Sequence, residues 1–257
     1  MGKLHRIAIV ADGDFPTASL PLKLLSEADI VIACDGAADS LVAAGFMADY
    51  IVGDMDTLSE PKQHEFQEKI IRIAEQESND LTKAFRFALN LCSLHTPEEG
   101  LKKVSSGKNV SEYIGEADAD RLDIIVLGAT GKREDHTIGN ISLLADYQMQ
   151  AEEFSNAKEA RIKITIKAYT DYGVFIPYYS AENKPILLKD IMADIKGRPL
   201  SLFGFDNTLR ITSQGLEYQT SGVIFDRWWK ATLNCIAEEG AKLTLSHSSP
   251  VLLYFPY

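Results

Sequence analysis

Along the first 160 residues, short β-branched apolar runs alternate with segments whose apolar positions recur every three or four residues. "HRIAIVAD", "DIVIACD", "DYIVGD" and "EKIIRIAEQ" read as four strands, the last preceded by a short helix in "LSEPKQHEFQEK". "AADSLVAAGF" reads as a helix closed by Gly45. In "NDLTKAFRFALNLCSL", Leu81, Ala84, Phe85, Ala88, Leu89 and Cys92 fall at helical spacing, with Asn79 or Asp80 near the N-cap. "RLDIIVLGAT" is a long buried strand and "HTIGNISLLADYQM" a helix. Strands alternating with helices predict a mostly parallel sheet with helices on both faces.

Residues 95–121 break this rhythm with a polar stretch, read as a solvated insertion that is partly helical around "VSEYIGEA". After about residue 160 the pattern changes again. "ARIKITIKAYT", "DYGVFIPYYS", "RPLSLFGF", "TLRITSQGLEYQTSG", "KATLNCIAE", "AKLTLSHSS" and "VLLYFPY" are short β-rich runs parted by turn residues, with a helix only at "LKDIMADI". The expected organisation is an α/β domain over residues 1–180 and an antiparallel β-sandwich over 181–257, with the boundary near 160–182.

Composition narrows the partners. A net charge of −11 argues against a general nucleic-acid or membrane-surface binder. Cys34, Cys92 and Cys235 are far apart and odd in number, which speaks against a disulfide framework or structural zinc and fits a reducing cytoplasm. The apolar run in "MGKLHRIAIVADGDFP" is too short for a secretory signal, and no run of roughly 18 apolar residues offers a membrane span.

In a parallel sheet the carboxyl ends of the strands line the ligand crevice. Four polar clusters fall there: Asp35-Gly36-Ala37-Ala38-Asp39, then Gly53-Asp54-Met55-Asp56, then Glu75, Glu77, Asn79 and Asp80, and last "GATGKREDH" from Gly128 to His136. Four clusters at one predicted edge indicate one shared site. Its carboxylates repel one another unless a cation joins them. Mg²⁺, which takes carboxylate and phosphate oxygens, is the natural candidate, with Asp54 and Asp56 placed to hold a metal–phosphate complex. An Asx turn with two exposed carboxylates accounts equally for that pair taken alone.

Gly128 and Gly131 allow close approach of backbone to ligand, Arg133 and Lys132 supply phosphate-directed donors, and the helix starting near His136 offers free N–H groups. A plain strand-to-helix turn is the alternative. "GATGK" is not a P-loop, because its spacing is short and Arg133 follows the lysine. Lys83, in a first helical turn, opposes the macrodipole and is better placed if it reaches a phosphate, although a solvated lysine is ordinary. In the β domain, Tyr218, Trp228 and Trp229 lie beside Thr232 and Asn234 and suit a flat or cationic ring, or else a core or interface. His5, His64, His95 and His247 show no ligand-like spacing.

In this order the clusters resemble those of the thiamine pyrophosphokinase family. "DGAAD" is similar to its Asp-Gly-[Gly/Ala]-Ala-Asn stretch, "GDMDT" to Gly-Asp-x-Asp-Ser, "EQESNDLTK" to Asp-x-Asp-x-Thr-Asp-x-Thr-Lys, and "GATGKREDH" to Gly-x-x-Gly-x-Arg-x-Asp-His. "SQGLEY" and "SSPVLLY" extend the likeness over nearly the whole chain. The resemblance implies transfer of the pyrophosphoryl group of ATP to the hydroxyl of thiamine, giving thiamine diphosphate and AMP. It also implies Mg²⁺ and a homodimer with shared sites. By this resemblance Asp54, Asp56, Asp80 and Lys83 are catalytic. Asp54, Asp56 and Asp80, with Glu75 and Glu77 where aspartate is commoner, form the metal and pyrophosphate site. Gly128, Gly131, Arg133, Asp135 and His136 match the nucleotide-phosphate loop, with Asp35 and Asn140 at its margin. Tyr218, where some members carry tryptophan, and Thr232 and Asn234 match thiamine-binding positions, although Ala231 and Leu233 depart from the Ser-x-Ser-Asn pattern. The general base is Asp56 or Asp80.

Other classes compete. "DMDTL" resembles the nucleophile loop of haloacid-dehalogenase-type phosphatases, but Leu58 stands where that loop has threonine, and the pair follows the third strand. A nucleotide-sugar transferase explains Asp54 and Asp56 but not the Arg133–Asp135 loop or the β domain. A non-catalytic thiamine or nucleotide carrier has no need of so many carboxylates.

Overall fold

The computed structural model describes residues 4–91, 121–157, 162–180 and 184–257. The chain separates into two compact units, Met1–Leu143 with Gln150–Asp171, and Leu144–Met149 with Tyr172–Tyr257. The insertion expected over 95–121 falls, apart from Arg121, outside the described residues, as do Cys92 and His95.

In the first unit the order is β1 (Leu4–Val10), α1 (Ser19–Ser26), β2 (Ile30–Cys34), α2 (Ala37–Ala43), β3 (Tyr50–Gly53), α3 (Glu60–Glu65), β4 (Ile70–Arg72), α4 (Asp80–Leu91), β5 (Arg121–Leu127), α5 (Glu134–Ala157) and β6 (Lys163–Tyr169). These strands form a parallel array in the order β6-β5-β1-β2-β3-β4. Ile7, Ala8, Ile9 and Val10 are all buried. That is the signature of a strand covered on both faces, and it explains the unbroken apolar run. Ala8, Val10, Ala33 and Ile51 pack with α1 and α2 residues such as Leu25 and Leu41. On the opposite face, Tyr50 meets Phe87 of α4 edge-on, ring centroids 5.1 Å apart. The expected stripe of α4, Leu81, Ala84, Phe85, Ala88 and Leu89, is buried, and Asn79 Oδ1 accepts the Thr82 amide at 2.9 Å as an N-cap.

Helix α1 carries no clear periodic signal, because Pro21 interrupts "SLPLKLLS". Proline is tolerated in a first turn, where its missing N–H has no intrahelical partner to lose. The N-cap residue, Ala18, has no side chain to cap the helix. Asp171 supplies the anchor instead. Its carboxylate accepts the amides of Thr17 and Ala18 at 2.9 Å each and the Thr17 hydroxyl at 2.6 Å.

The second unit holds β7 (Gly173–Ser180), β8 (Pro185–Leu187), α6 (Leu188–Ile191), β9 (Pro199–Gly204), β10 (Ile211–Gln214), β11 (Asn234–Cys235), β12 (Lys242–Leu245) and β13 (Ser249–Pro256). They form two antiparallel sheets, β11-β9-β13-β7 and β10-β12-β8. The run "TLRITSQGLEYQTSG" yields only four strand residues, because the chain turns at Gly215, whose φ is +75°. "KATLNCIAE" yields two, after a 3₁₀ turn at Trp228–Ala231. Among the described residues no helix is long and apolar enough to cross a membrane.

Candidate functional site

The loops after β1, β2, β3, β4 and β5 enclose a cleft of about 550 Å³ in the first unit, at the carboxyl edge of its sheet. The parallel register brings these five loops to one edge. Each loop carries polar residues where its strand runs out.

Asp35 builds the centre. It is 2% exposed, and its two carboxylate oxygens accept the amides of Thr57 and Leu58 at 3.1 and 3.0 Å. The loop after β3 is therefore bracketed from β2. Burial pushes the Asp35 carboxyl above its ordinary range, against the pull of those two amides, with Asp80 and Asp56 pushing the same way. Inside the bracketed loop Met55 has φ +68° and a buried side chain. This left-handed residue is costly for a side chain with a Cβ. It anchors the turn inward and leaves Asp54 and Asp56 facing the cleft. Asp54 Oδ1 accepts the Asp56 amide at 3.3 Å, so the Asx turn is present as well. Arg72 and Gln63 brace the loop from behind, donating to the Asp54 carbonyl at 2.7 Å and the Met55 carbonyl at 2.9 Å.

One oxygen from each of Asp35, Asp54 and Asp56 lies within 4.8 Å of the others. Three hard oxygen donors at that spacing are consistent with a metal site. Asp80 adjoins them. A Cβ on Gly53 would stand 3.2 Å from Asp80 Oδ1 and 3.0 Å from the Asp35 Cβ, so the glycine makes room for that approach. Lys83, 3% exposed, sits among the carboxylates with Nζ 3.0 Å from Asp80 Oδ1 and 3.6 Å from Asp54 Oδ2. Burial pulls the Lys83 ammonium down, but the hydrogen bond and charge of Asp80, with Asp54 and Glu75, outweigh it and raise its pKa. Lys83 is not the solvated lysine of the alternative reading.

Glu75 and Glu77 do not join this group, and neither lines the cleft. The longer Glu75 side chain folds back onto its own loop, accepting the Glu77 amide at 2.8 Å, the Ser78 amide at 3.1 Å and the Ser78 hydroxyl. Between them Gln76 turns inward and donates to Asp54 Oδ2 at 2.8 Å.

The loop after β5 is sutured to the loop after β1. Gly13 N donates to Gly128 O and Asp14 N to Thr130 O, each at 2.8 Å. A Cβ on Gly13, Gly128 or Gly131 would collide with the facing loop. Arg133 and His136 line the cleft, whereas Asp135 does not. Arg133 and Asp135 form an exposed bidentate pair at 3.1 and 2.5 Å, which lowers the Asp135 carboxyl to about 2. Asn140 is a tie between loops, donating to Ala129 O and accepting from Asn79 Nδ2, both at 3.1 Å.

Lys132, read from the sequence as a phosphate-directed donor, lines the cleft, and so do Gln76, Asp12 and Thr57, which the sequence reading does not single out. Asp12 had the same signal as the others, a carboxylate where a strand ends.

Tyr218, Thr232 and Asn234 lie together in the second unit. Asn234 is buried and mimics backbone, donating to Tyr218 O at 2.7 Å and accepting Tyr218 N at 3.1 Å. Tyr218 and Trp229 are 62% and 70% exposed, and Thr232 donates to Trp229 O at 2.8 Å. Trp228 packs edge-on to Phe203 and Phe205.

This fold, a mostly parallel α/β unit followed by antiparallel strands, is shared with solved thiamin pyrophosphokinases. The enzyme from Candida albicans superposes with a TM-score of 0.69 at 22% identity, over 98% of this chain and 88% of that one. Yeast thiamin pyrophosphokinase gives 0.67 at 17%, covering 98% and 86%. The Bacillus subtilis enzyme gives 0.59 at 17%, covering 98% of each. No curated protein sequence matches significantly. Residues 22–156, more than half of the chain, match the family model "Thiamin pyrophosphokinase, catalytic domain", and the chain belongs to this family.

Proposed function

We propose that the protein transfers the pyrophosphoryl group of ATP to the hydroxyl of thiamine. The observation that carries this reading is the convergence of Asp54, Asp56, Asp80 and Lys83 with the Gly128–Arg133 loop in one cleft, in a chain of this family. The thiamine hydroxyl oxygen bonds to the β-phosphorus, the bond between that phosphorus and the α–β bridging oxygen breaks, and AMP departs with the bridging oxygen. The hydroxyl proton passes to Asp56 or Asp80. Burial raises the proton affinity of Asp80, which favours it.

Asp54 and Asp56, with Asp35 behind them, would hold Mg²⁺, which when bound neutralises phosphate charge. Lys83 orients Asp80 and Asp54. Arg133 and the amides of its loop take nucleotide phosphates. Little covalent work is asked of the protein, so positioning and electrostatics dominate. In this reading the first unit binds ATP, Tyr218, Thr232 and Asn234 contact thiamine, and a cytoplasmic homodimer completes the sites.

The test is AMP formation from ATP with and without thiamine. AMP that appears only with thiamine and Mg²⁺ supports the reading. Release of ADP or phosphate points to a phosphatase or another transferase, and binding without turnover to a carrier.

A further inference from the structure

Lys132 occupies a backbone position that suits glycine. Its φ is +54°, and the Arg133 amide donates to Gly131 O at 2.7 Å, closing a three-residue turn around it. Such a turn is strained for any residue with a Cβ. The strained residue stands at the lip of the cleft. Its Nζ meets Asp12 Oδ1 at 2.7 Å, 120 positions away in sequence. Asp12 is delivered by the loop after β1, which the Gly13 and Asp14 amides bind to the loop after β5.

The charges of the cleft give the pair a meaning. Its lining carries five carboxylates, Asp12, Asp35, Asp54, Asp56 and Asp80, against three permanent cations, Lys83, Lys132 and Arg133. Lys83 is buried and shared between two aspartates, whereas Arg133 is held bidentately by Asp135, which lies outside the cleft lining, in a pair more exposed than that of Lys132 with Asp12. Lys132 meets a carboxylate that is itself 38% exposed, and its own side chain is 47% exposed. A pair so open to water is weak and exchanges partners easily.

We propose that Lys132 is a polyphosphate-binding residue, and that the Asp12 carboxylate stands in for a phosphate oxygen until one arrives. The strained turn aims the ammonium at the cleft, and Asp12 keeps its long side chain ordered there. The inference rests on the ATP reading above for its natural ligand, but its chemistry requires only a chain of phosphates.

Lys132→Gly separates charge from fold, because glycine adopts the left-handed turn without strain. The full-length protein is titrated calorimetrically with a non-hydrolysable ATP analogue and with inorganic triphosphate, both with Mg²⁺. Lys132→Gly is expected to weaken both by roughly tenfold, the loss of one charge-assisted contact. KM for ATP rises while KM for thiamine and thermal stability hold, and Lys132→Arg restores most of the affinity. Asp12→Asn binds triphosphate at least as tightly as the parent protein. Unchanged affinity in Lys132→Gly overturns the proposal, and an equal loss in Asp12→Asn overturns the stand-in role. A parent protein that binds neither probe overturns this inference. One that binds triphosphate yet forms no AMP overturns the kinase reading alone, and the Lys132→Gly comparison still decides the lysine.

Discussion

Gln76 donates from Nε2 to Asp54 Oδ2 at 2.8 Å, and Lys83 approaches the same oxygen at 3.6 Å. The neutral amide is the first cause of the lowered Asp54 pKa, ahead of the lysine. A carboxylate held in this way is ionised and oriented before any ligand arrives. Gln76→Leu removes the amide without adding charge. Groups that orient a metal-binding carboxylate typically affect metal affinity by roughly 10–100-fold. We expect a loss in that range for Mn²⁺, read directly by titration with paramagnetic relaxation. Unchanged affinity would show that the hydrogen bond is incidental.

Asp54→Asn keeps the shape of the turn and removes the charge. Most turnover should disappear while far-UV circular dichroism and the melting temperature stay close to those of the parent. Full retention of AMP formation would remove Asp54 from the chemistry.

Lys83 is the buried cation among the cleft carboxylates. Lys83→Met leaves Asp80 and Asp54 facing each other uncompensated, though both are partly hydrated. On the order of 2 kcal/mol of stability should be lost at neutral pH. Carboxylates left without their cation take up protons, so the deficit shrinks as the pH falls. Denaturant unfolding of both proteins at neutral and acid pH measures it.

Asp171 gives a pH dependence of defined sign. Burial pushes its carboxyl up, but the Thr17 hydroxyl and the Ala18 and Thr17 amides outweigh it, and the folded pKa lies below the ordinary value. The unfolded chain then binds the proton more readily than the folded one, and stability rises with pH through this window. The contribution is complete above the unfolded value of about 4 and fades as pH falls through the folded one. Asp171→Ala should cost about 1 kcal/mol at neutral pH, comparable to losing a helix cap. The difference from the parent should close in strong acid. A gap that persists there would refute the assignment.

Arg133 is exposed together with Asp135, so its removal should leave thermal stability unchanged. Arg133→Ala should instead weaken binding of the ATP analogue, measured by calorimetry. Equal affinity would take Arg133 out of the phosphate loop.

Much of the first unit is legible in the sequence, because buried parallel strands must be continuously apolar. β1, β2 and β5 therefore announce themselves, and their carboxyl ends locate the cleft. Helix α1 is hidden by Pro21, and what anchors it lies more than 150 residues downstream. The cleft is legible only where its chemistry follows the chain. Asp54 and Asp56 are neighbours, whereas Asp12 and Lys132 meet only in space. No periodicity shows that Glu75 turns back on Ser78 while Gln76 points inward. Side-chain reach and loop closure decide that, and both depend on the fold.

The suture between the loops after β1 and β5 has a consequence for biosynthesis. A nascent chain leaves the ribosome amino end first. β1 and β2 can meet early, but the Gly13 amide has no carbonyl to receive it until Gly128 emerges, and the Thr17 and Ala18 amides wait for Asp171. The segment from Gly13 to Ala18 is thus made well before the residues that secure it. A chain stalled before Asp171 would leave the entry to α1 loose and within reach of proteases.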